Sequence, residues 1–281
     1  MDPDSEAEQV ASQILKTTLL TVVFSSCNYF KTETSASVST IQLSLPKDSV
    51  VKSQSPSPKK KRKTIYLTFD DGPNKGTNNV YQIIDKEEVN ATLFIIGQHV
   101  YGSKEQAAIF DSIVNSRYIE VANHSYTHAH NKFVKFYTVP DSVVSDFKRC
   151  ADSLHLTSNI IRTPGRNIWR TNTINTTDIN TSTAAADSLQ QNNFTAVGWD
   201  LEWHFDNNLK LTETDDEVIN EIDSLFAKAK TKTPDHLVLL AHDQAFANTA
   251  DSAYLHQFII KLKAKDEYDF ENISKYPALK N

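Results

Sequence analysis

The 281-residue sequence contains little cysteine and no excess of positive charge. Its two cysteines, Cys27 and Cys150, are too few for a disulfide scaffold or for a zinc site made of four thiolates. The formal net charge of -6 argues against a protein that covers phosphate backbones, because such binding draws on clustered cationic surface. We therefore exclude a disulfide-rich fold and expect no nucleic-acid partner.

Three further features are lacking. No phosphate-binding glycine pattern follows the first predicted strand, which disfavours a dinucleotide-binding fold. No internal repeat is present, and the apolar stretch at residues 14–24 is too short to span a bilayer as a stable helix. With 39% hydrophobic and 10% aromatic residues, the chain can still build one substantial core, so one main globular domain is expected.

The apolar stretch at residues 14–24 ends in two serines and Cys27. A lysine, a short apolar stretch, small residues and a cysteine resemble a bacterial lipoprotein signal, in which Cys27 would be lipidated after cleavage. Acidic residues precede it where such a signal normally begins with positive charge, so a frayed terminus with a buried apolar strip is the alternative. From the signal we expect a leader at residues 1–27 and an exported protein of the cell envelope, attached to a membrane through Cys27.

Residues 28–63 are rich in Ser, Thr, Lys and Pro and offer few apolar side chains to bury, which predicts a disordered linker. The five basic residues at 59–63 could form a nuclear localisation signal or a nucleic-acid patch. Because they end a linker in an acidic chain, a solvated charge run is the favoured interpretation. The catalytic domain is assigned to residues 64–281.

Strands and helices are predicted to alternate about six times after the linker. Strands are expected at residues 64–69, 91–96, 118–122, 159–162, 194–199 and 237–241, and helices at 79–88, 105–116, 142–154, 183–191, 217–230 and 253–263. Right-handed crossovers then favour a parallel sheet with helices outside, so we predict an α/β fold, a distorted or incomplete (β/α) barrel. A doubly wound open sheet is the alternative. Residues 167–182, rich in Asn and Thr, are predicted to form a long loop.

Polar residues with catalytic potential follow the predicted strands. The first strand ends in Thr-Phe-Asp-Asp-Gly-Pro with Asp70 and Asp71, and the third is followed by His124 and His128. On a helical turn, imidazoles at this spacing project to one side, and active sites of α/β barrels lie at the carboxyl ends of the strands. Two imidazoles and one carboxylate leave positions open for water and substrate, as a catalytic metal site requires. A simple turn and an ordinary histidine pair are the alternatives for each motif taken alone.

The remaining strands end in further functional groups. The fourth ends in Arg-Thr-Pro-Gly, where Arg162 can orient Asp70. The fifth runs into Trp-Asp-Leu-Glu-Trp, which contains Asp200. The sixth ends at His242, and a histidine oriented by a carboxylate can protonate a leaving amine.

Over about residues 64–263 the sequence resembles the polysaccharide deacetylases with a NodB homology domain, carbohydrate esterase family four. Residues 68–73 are identical to the family's first motif, and residues 124–128, His-Ser-Tyr-Thr-His, satisfy its second. The resemblance implies that Asp70 is the general base. It also implies that Asp71, His124 and His128 hold one divalent metal ion, typically zinc, cobalt or nickel.

Residues 162–165 are similar to the family's third motif but lack its aromatic residue, and residues 240–242 are similar to its fifth. The resemblance implies that Arg162 orients Asp70, with Pro164 and Gly165 at the substrate groove. It likewise implies that Leu240 lines the acetyl pocket and that His242 is the general acid.

Residues 200–203 resemble the fourth motif with a spacing one residue shorter than usual. By resemblance, Asp200 is the carboxylate that orients His242 and Trp203 binds substrate. Glu202 is the rival for the role of Asp200.

The resemblance implies a metal-dependent hydrolase that removes acetyl groups from N-acetylated sugars of a polysaccharide or oligosaccharide, so an acetylated glycan is the expected partner. An O-acetyl esterase acting on xylan and a non-catalytic sugar-binding relic are the alternatives. A nucleic-acid-binding protein that uses residues 59–63 ranks last.

Overall fold

The computed structural model describes residues 61–279. The expectations for the leader, for Cys27 and for residues 28–60 of the linker lie outside the described residues. The strands are β1 (Lys63–Gly72), β2 (Ala91–Ile95), β3 (Ile119–Asn123), β4 (Ile160–Ile161), β5 (Ile168–Arg170), β6 (Asn175–Thr177), β7 (Thr195–Ala196), β8 (Leu201–Glu202), β9 (His236–His242) and β10 (Tyr268–Phe270). The helices are α1 (Thr77–Glu87), α2 (Gly97–Val100), α3 (Lys104–Val114), α4 (Phe133–Phe136), α5 (Pro140–Leu154), α6 (Thr183–Gln191), α7 (Asp215–Ala227) and α8 (Thr249–Ala264).

The strands form one sheet in the order β6-β5-β7-β4-β3-β2-β1-β9-β8, and β10 pairs with β1. The central strands are parallel, with Asp70 of β1 opposite His242 of β9. Within residues 61–279 the edge strands β6 and β8 do not pair with each other, so the barrel is not closed. This confirms the predicted incomplete (β/α) barrel.

The two faces of β1 have different functions because side chains alternate along a strand. Ile65, Leu67 and Phe69 belong to the core between the sheet and the helices. Tyr66 lies in a second buried cluster on the opposite face, and Asp70 lies on that face at the carboxyl end of the strand. The same alternation therefore builds the outer core and places Asp70 on the inner face of the sheet.

The last two helices, α7 and α8, match predicted helices and pack through buried apolar side chains. In α7 a capping box between Thr214 and Glu217 fixes the start of the helix, and Val218 and Ile222 are buried. In α8 the buried apolar residues are Leu255, Phe258, Ile259 and Leu262. No helix between residues 61 and 279 has both the length and the hydropathy that a bilayer crossing needs.

The predicted loop at residues 167–182 is wrong in part, because it contains β5 and β6. These strands pair antiparallel with each other, and β5 also pairs antiparallel with β7. Ile168 and Trp169 are fully buried, and Nε of the buried Arg170 lies 2.8 Å from Oδ1 of Asp187 on α6. Burial of these side chains stabilises the β5–β6 hairpin at the edge of the sheet.

Lys61 and Arg62 are the first described residues of the basic run, and both make ion pairs. Nζ of Lys61 lies 2.8 Å from Oδ2 of Asp235, and Nε of Arg62 lies 2.6 Å from Oδ1 of Asp269. Arg62 also pairs with Asp266. Lys61 is 79% exposed, which agrees with a solvated charge run, whereas Arg62 is partly buried between its acidic partners.

Candidate active site

The structure brings the three predicted metal ligands together. Asp71 lies near the end of β1, His124 directly follows β3, and His128 begins a short 3-10 helix. Nε2 of His124 and Nε2 of His128 lie 3.4 Å and 3.1 Å from Oδ1 of Asp71. One ligand atom from each of the three residues lies within 4.8 Å of the others.

The backbone between the two histidines is not the helical turn that the sequence suggests. Ser125 and His128 have left-handed backbones, with φ of 66° and 51°. The backbone nitrogen of Ser125 donates to Asn123 Oδ1 at 2.9 Å, and that of His128 donates to Ser125 Oγ at 3.1 Å. These local bonds, rather than helical periodicity, turn both imidazoles toward Asp71.

Hydrogen bonds at Nδ1 fix the direction of both imidazoles. Nδ1 of His124 lies 2.9 Å from the carbonyl oxygen of Arg162, and Nδ1 of His128 lies 3.0 Å from Oδ1 of Asn131. Both partners are oxygen acceptors, so in the neutral rings Nδ1 carries the proton. The lone pair at Nε2 is then directed at Asp71, as a metal-binding histidine requires.

The surroundings of Asp71 favour a positive charge at this point. Its Oδ1 is buried and accepts no hydrogen bond of good geometry. Burial alone would raise the pKa of Asp71, but His124 and His128 hold it well below its ordinary value. Burial would lower the pKa of His128, yet the contact with Asp71 raises it above its ordinary value. An orphaned carboxylate oxygen facing two imidazole nitrogens fits a divalent cation.

Asp70 and Arg162 form a buried ion pair beside these residues, as predicted. Nη1 of Arg162 lies 2.9 Å from Oδ1 of Asp70, and the side chains are 0% and 4% exposed. Nε and Nη2 of Arg162 donate to the carbonyl oxygens of Val197 and Gly198 at 3.2 Å and 3.0 Å. The other oxygen of Asp70, Oδ2, lies 3.7 Å from Nε2 of His124, so it faces the predicted metal site.

Four of these residues, all except the buried Arg162, line a cleft of about 340 Å³. Its lining comprises Asp70, Asp71, His124, His128, Phe133, Gly165, Trp199, Glu202, Phe205, Leu240 and His242. Predicted residues Gly165, Leu240 and His242 are thus in place. A larger hollow of about 680 Å³ lies between α1 and α3, but Glu105 is the one carboxylate in its lining and no histidine is there. The smaller cleft is therefore the candidate active site.

The prediction that Asp200 orients His242 is wrong. The Asp200 carboxylate accepts hydrogen bonds of 2.7 Å and 2.8 Å from the backbone nitrogens of Lys232 and Val238. Val238 precedes His242 by four residues in β9, which is ~13 Å along a strand. Nδ1 of His242 is buried and has no hydrogen-bond partner among the described residues.

Two predicted substrate-binding residues lie outside the cleft. Trp203 is fully buried in the outer core, where its ring packs against Phe246 and Phe258 and its Nε1 donates to the carbonyl oxygen of Glu213. Pro164 is buried, and its carbonyl oxygen accepts a hydrogen bond of 2.8 Å from the Tyr137 hydroxyl. Both residues are packed into the protein body, which corrects their assignment.

The sequence prediction missed three aromatic residues of the cleft. Phe205 packs edge-on against His242, and Phe133 packs edge-on against His128, with ring centroids 5.1 Å and 5.3 Å apart. Trp199 is the third. Trp199 ends a predicted strand, so it could have been found by the rule that active-site residues lie at the carboxyl ends of the strands. Phe133 begins the four-residue helix α4 and Phe205 lies outside the named strands and helices, and neither segment shows a periodic pattern in the sequence.

The sequence model of the family described as polysaccharide deacetylase matches residues 57–178. A bifunctional xylanase/deacetylase from Pseudobutyrivibrio xylanivorans is 45% identical over 67 residues, which is 24% of this chain and 11% of that protein. A peptidoglycan-N-acetylglucosamine deacetylase from Bacillus cereus is 40% identical over 81 residues, which is 28% of this chain and 26% of that protein. The matched segments therefore span about a quarter or less of these relatives.

Similarity to solved structures extends further along the chain. A family 4 carbohydrate esterase from Streptomyces lividans, solved in complex with acetate, superposes with a TM-score of 0.55 at 21% identity. The match covers 77% of this chain and 95% of that one. At this level of identity the likeness shows a shared fold.

Proposed function

We propose that this chain is a metal-dependent hydrolase that removes acetyl groups from N-acetylated sugars of a polysaccharide or oligosaccharide, because the polysaccharide deacetylase family model matches residues 57–178. One observation supports this above all. The buried Oδ1 of Asp71 faces Nε2 of His124 and of His128, and Asp70, fixed by Arg162, lies beside them.

Asp71, His124 and His128 would hold the metal ion, with zinc as the first candidate and cobalt or nickel as the others. When bound, a divalent ion of this kind supplies polarisation of the acetyl carbonyl and a lowered pKa of water. Three protein ligands leave room for water and substrate, which distinguishes a catalytic site from a closed structural one.

Asp70 is the proposed general base. Oδ1 is held by Arg162, which leaves Oδ2 directed at the cleft to take the proton of the attacking water. The Arg162 guanidinium is itself fixed by two backbone carbonyls and lies 4.2 Å from the centre of the Phe94 ring. A base held this rigidly needs little reorganisation during proton transfer.

His242 is the proposed general acid that protonates the leaving amine. It lies opposite Asp70 in the register of β1 and β9, and both side chains line the cleft. Edge-on packing of Phe205 restricts rotation of the His242 ring. Base and acid therefore approach a bound acetamido group from neighbouring strands.

The aromatic residues of the cleft support a sugar substrate. Phe133, Trp199 and Phe205 present apolar rings beside the carboxylates, and pyranose rings have apolar faces that pack on such surfaces. Ring atoms of Phe133 would lie 3.1–3.3 Å from a Cβ at Gly165, so Phe133 supplies aromatic surface next to the motif that lacks its own. The named activities of the relatives, on xylan or peptidoglycan, agree with an acetylated glycan.

Acetate release by the full chain tests this proposal. The protein is stripped of metal, refilled with zinc, cobalt or nickel, and supplied with N-acetylglucosamine oligomers or acetylated xylan. We expect metal-restored release from the amino sugar, and no release by Asp70→Asn. Release from xylan alone would instead assign an O-acetyl esterase, and metal binding without release from either glycan would favour the sugar-binding relic.

We also propose that the protein is exported and attached to a membrane through a lipidated Cys27. The apolar stretch before Cys27 supports this, although it lies outside the described residues. Fractionation of cells that express the full chain or Cys27→Ser tests it. Loss of membrane association in Cys27→Ser is expected, and equal distribution of both proteins would contradict the proposal.

A further inference from the structure

Asp71 has a backbone conformation that non-glycine residues rarely adopt, with φ of 77°. Such a conformation persists only where neighbouring groups enforce it. The Asp71 carbonyl oxygen accepts from Nδ2 of Asn74 at 3.3 Å and from Nδ1 of His99 at 3.0 Å. Hydrogen bonds to the carbonyl oxygen of Asp71 therefore help to hold the end of β1 in place, in addition to the contacts of the Asp71 side chain.

Asn74 is in turn bound to a buried carboxylate on another strand end. Its Nδ2 also donates to Oδ1 of Asp243, the residue after β9, and the Thr77 hydroxyl donates to Oδ2 of Asp243. Oγ1 of Thr77 accepts from the backbone nitrogen of Asn74 at 2.7 Å. The two N–H groups of one amide thus connect Asp243 to the Asp71 carbonyl.

Asp243 occupies an unusual environment for an acidic side chain. It is 0% exposed, and the described part of the chain provides it with no cationic partner. Burial raises its pKa to about 8, with the charges of Asp71 and Asp70 adding to the effect. Because burying a carboxyl group without hydrogen bonds is costly, the contacts with Asn74 and Thr77 stabilise Asp243 at this position.

The turn at residues 72–76 fits closely onto Asp243. A Cβ at Gly72 would lie 2.7 Å from Oδ2 of Asp243, and a Cβ at Gly76 would lie 1.7 Å from the Asp243 carbonyl oxygen. The next residue, Gln244, places Nε2 3.4 Å from Oδ2 of Asp71. The segment after β9 therefore packs against the main chain at Gly72 and Gly76 and contacts the side chain of Asp71.

From these contacts we propose that Asp243, acting through Asn74 and Thr77, is a positioning residue that holds Asp71 in the geometry for binding a metal ion. This inference rests on the proposed function, because it presupposes that Asp71, His124 and His128 bind a metal. Asp243 does not touch the reacting atoms. Its effect is to keep the ligand in place before the metal arrives.

Cobalt affinity of the metal-stripped full chain tests the inference. Cobalt(II) is titrated into wild type, Asp243→Asn and Asp251→Asn, and binding is followed by visible absorption. Asp251 is the matched control, because it is also buried and accepts a hydrogen bond of 2.6 Å from an asparagine, Asn248, but belongs to α8. We expect Asp243→Asn to bind cobalt ~10- to 100-fold more weakly, as is usual when a partner of a metal ligand is removed. Asp251→Asn should bind like wild type.

A second pair of variants covers the case in which Asp243→Asn does not fold. Thr77→Val removes the hydroxyl that donates to Asp243 at nearly constant volume, and Thr77→Ser keeps it. Weak cobalt binding by the valine variant and recovery in the serine variant would support the inference. Equal affinity in folded Asp243→Asn and wild type, or equal losses in Asp243→Asn and Asp251→Asn, would overturn it. Wild-type protein that bound no cobalt would overturn the proposed function and this inference together.

Discussion

Nη1 of Arg162 lies 2.9 Å from Oδ1 of Asp70 in a buried ion pair at the inner face of the barrel. The ion pair fixes Oδ1 of Asp70 and leaves Oδ2 facing the cleft. A single negative charge therefore compensates a buried guanidinium and serves the proposed proton transfer. These two functions can be measured independently.

Asp70→Asn should abolish turnover while leaving metal binding intact. The amide keeps the shape of the carboxylate but cannot take a proton from water, and a positioned base contributes ~10²- to 10⁴-fold to the rate. Acetate release and metal stoichiometry are measured on the same preparation. Turnover close to wild type would assign the proton transfer to another residue.

The same substitution should reduce stability, because Arg162 loses its negative partner. Removing one partner of a buried pair costs ~3–5 kcal/mol. Here Arg162 keeps its bonds to the carbonyl oxygens of Val197 and Gly198, so we expect a loss near the lower end of that range. Urea unfolding of the metal-stripped protein measures it.

Trp199 and Trp203 provide a matched pair that separates substrate binding from stability. Trp199 lines the cleft, whereas Trp203 is fully buried among apolar rings. Trp199→Ala should raise KM, and it should lower the free energy of unfolding less than Trp203→Ala does, because Trp199 is only partly buried. Trp203→Ala should lower the free energy of unfolding by ~3–5 kcal/mol. Glycan turnover and urea unfolding are compared for both variants. A higher KM for a stable Trp203→Ala protein would restore its predicted role in binding.

The site residues whose positions could be predicted correctly lie at the carboxyl ends of predicted parallel strands. Asp70, Asp71, His124, Arg162 and His242 each follow or end a run of buried apolar residues, and parallel strands bring their carboxyl ends to one edge. Position along the strand therefore determined position in space. Specific motifs then indicated the chemistry.

The errors at Asp200 and Trp203 come from the region of β8, a strand of two residues that was not predicted from the sequence. Glu202 pairs with Leu240, whose side chain lines the cleft, so the neighbouring Trp203 must face the opposite side of the sheet. A shift of one residue along the strand therefore moves a side chain from the cleft to the core. Phe133 and Phe205 could not be predicted, because a four-residue helix and a segment outside the named strands bring them to the cleft through tertiary packing.

Asp243 should make the protein less stable as pH rises from about 4 to about 8. Burial raises its pKa from the model-compound value of 3.8 to about 8, so in this range the folded chain retains a proton that the unfolded chain has released. The contribution to stability is complete below the lower value and is lost as pH approaches the upper one. Asp243→Asn should remove this part of the slope. Urea unfolding of metal-stripped wild type and variant across the range measures the difference, and parallel curves would contradict the assignment.

His242 should matter more for amides than for esters. An amine leaves poorly unless it is protonated, whereas the phenolate of 4-nitrophenyl acetate leaves readily without a proton. We therefore expect His242→Gln to reduce acetate release from N-acetylglucosamine oligomers by ~10²- to 10⁴-fold and to reduce ester hydrolysis much less. Phe205→Leu is the control, because it alters the packing of the His242 ring but keeps the imidazole. Equal losses on both substrates in His242→Gln would mean that the residue shapes the cleft and does not donate the proton.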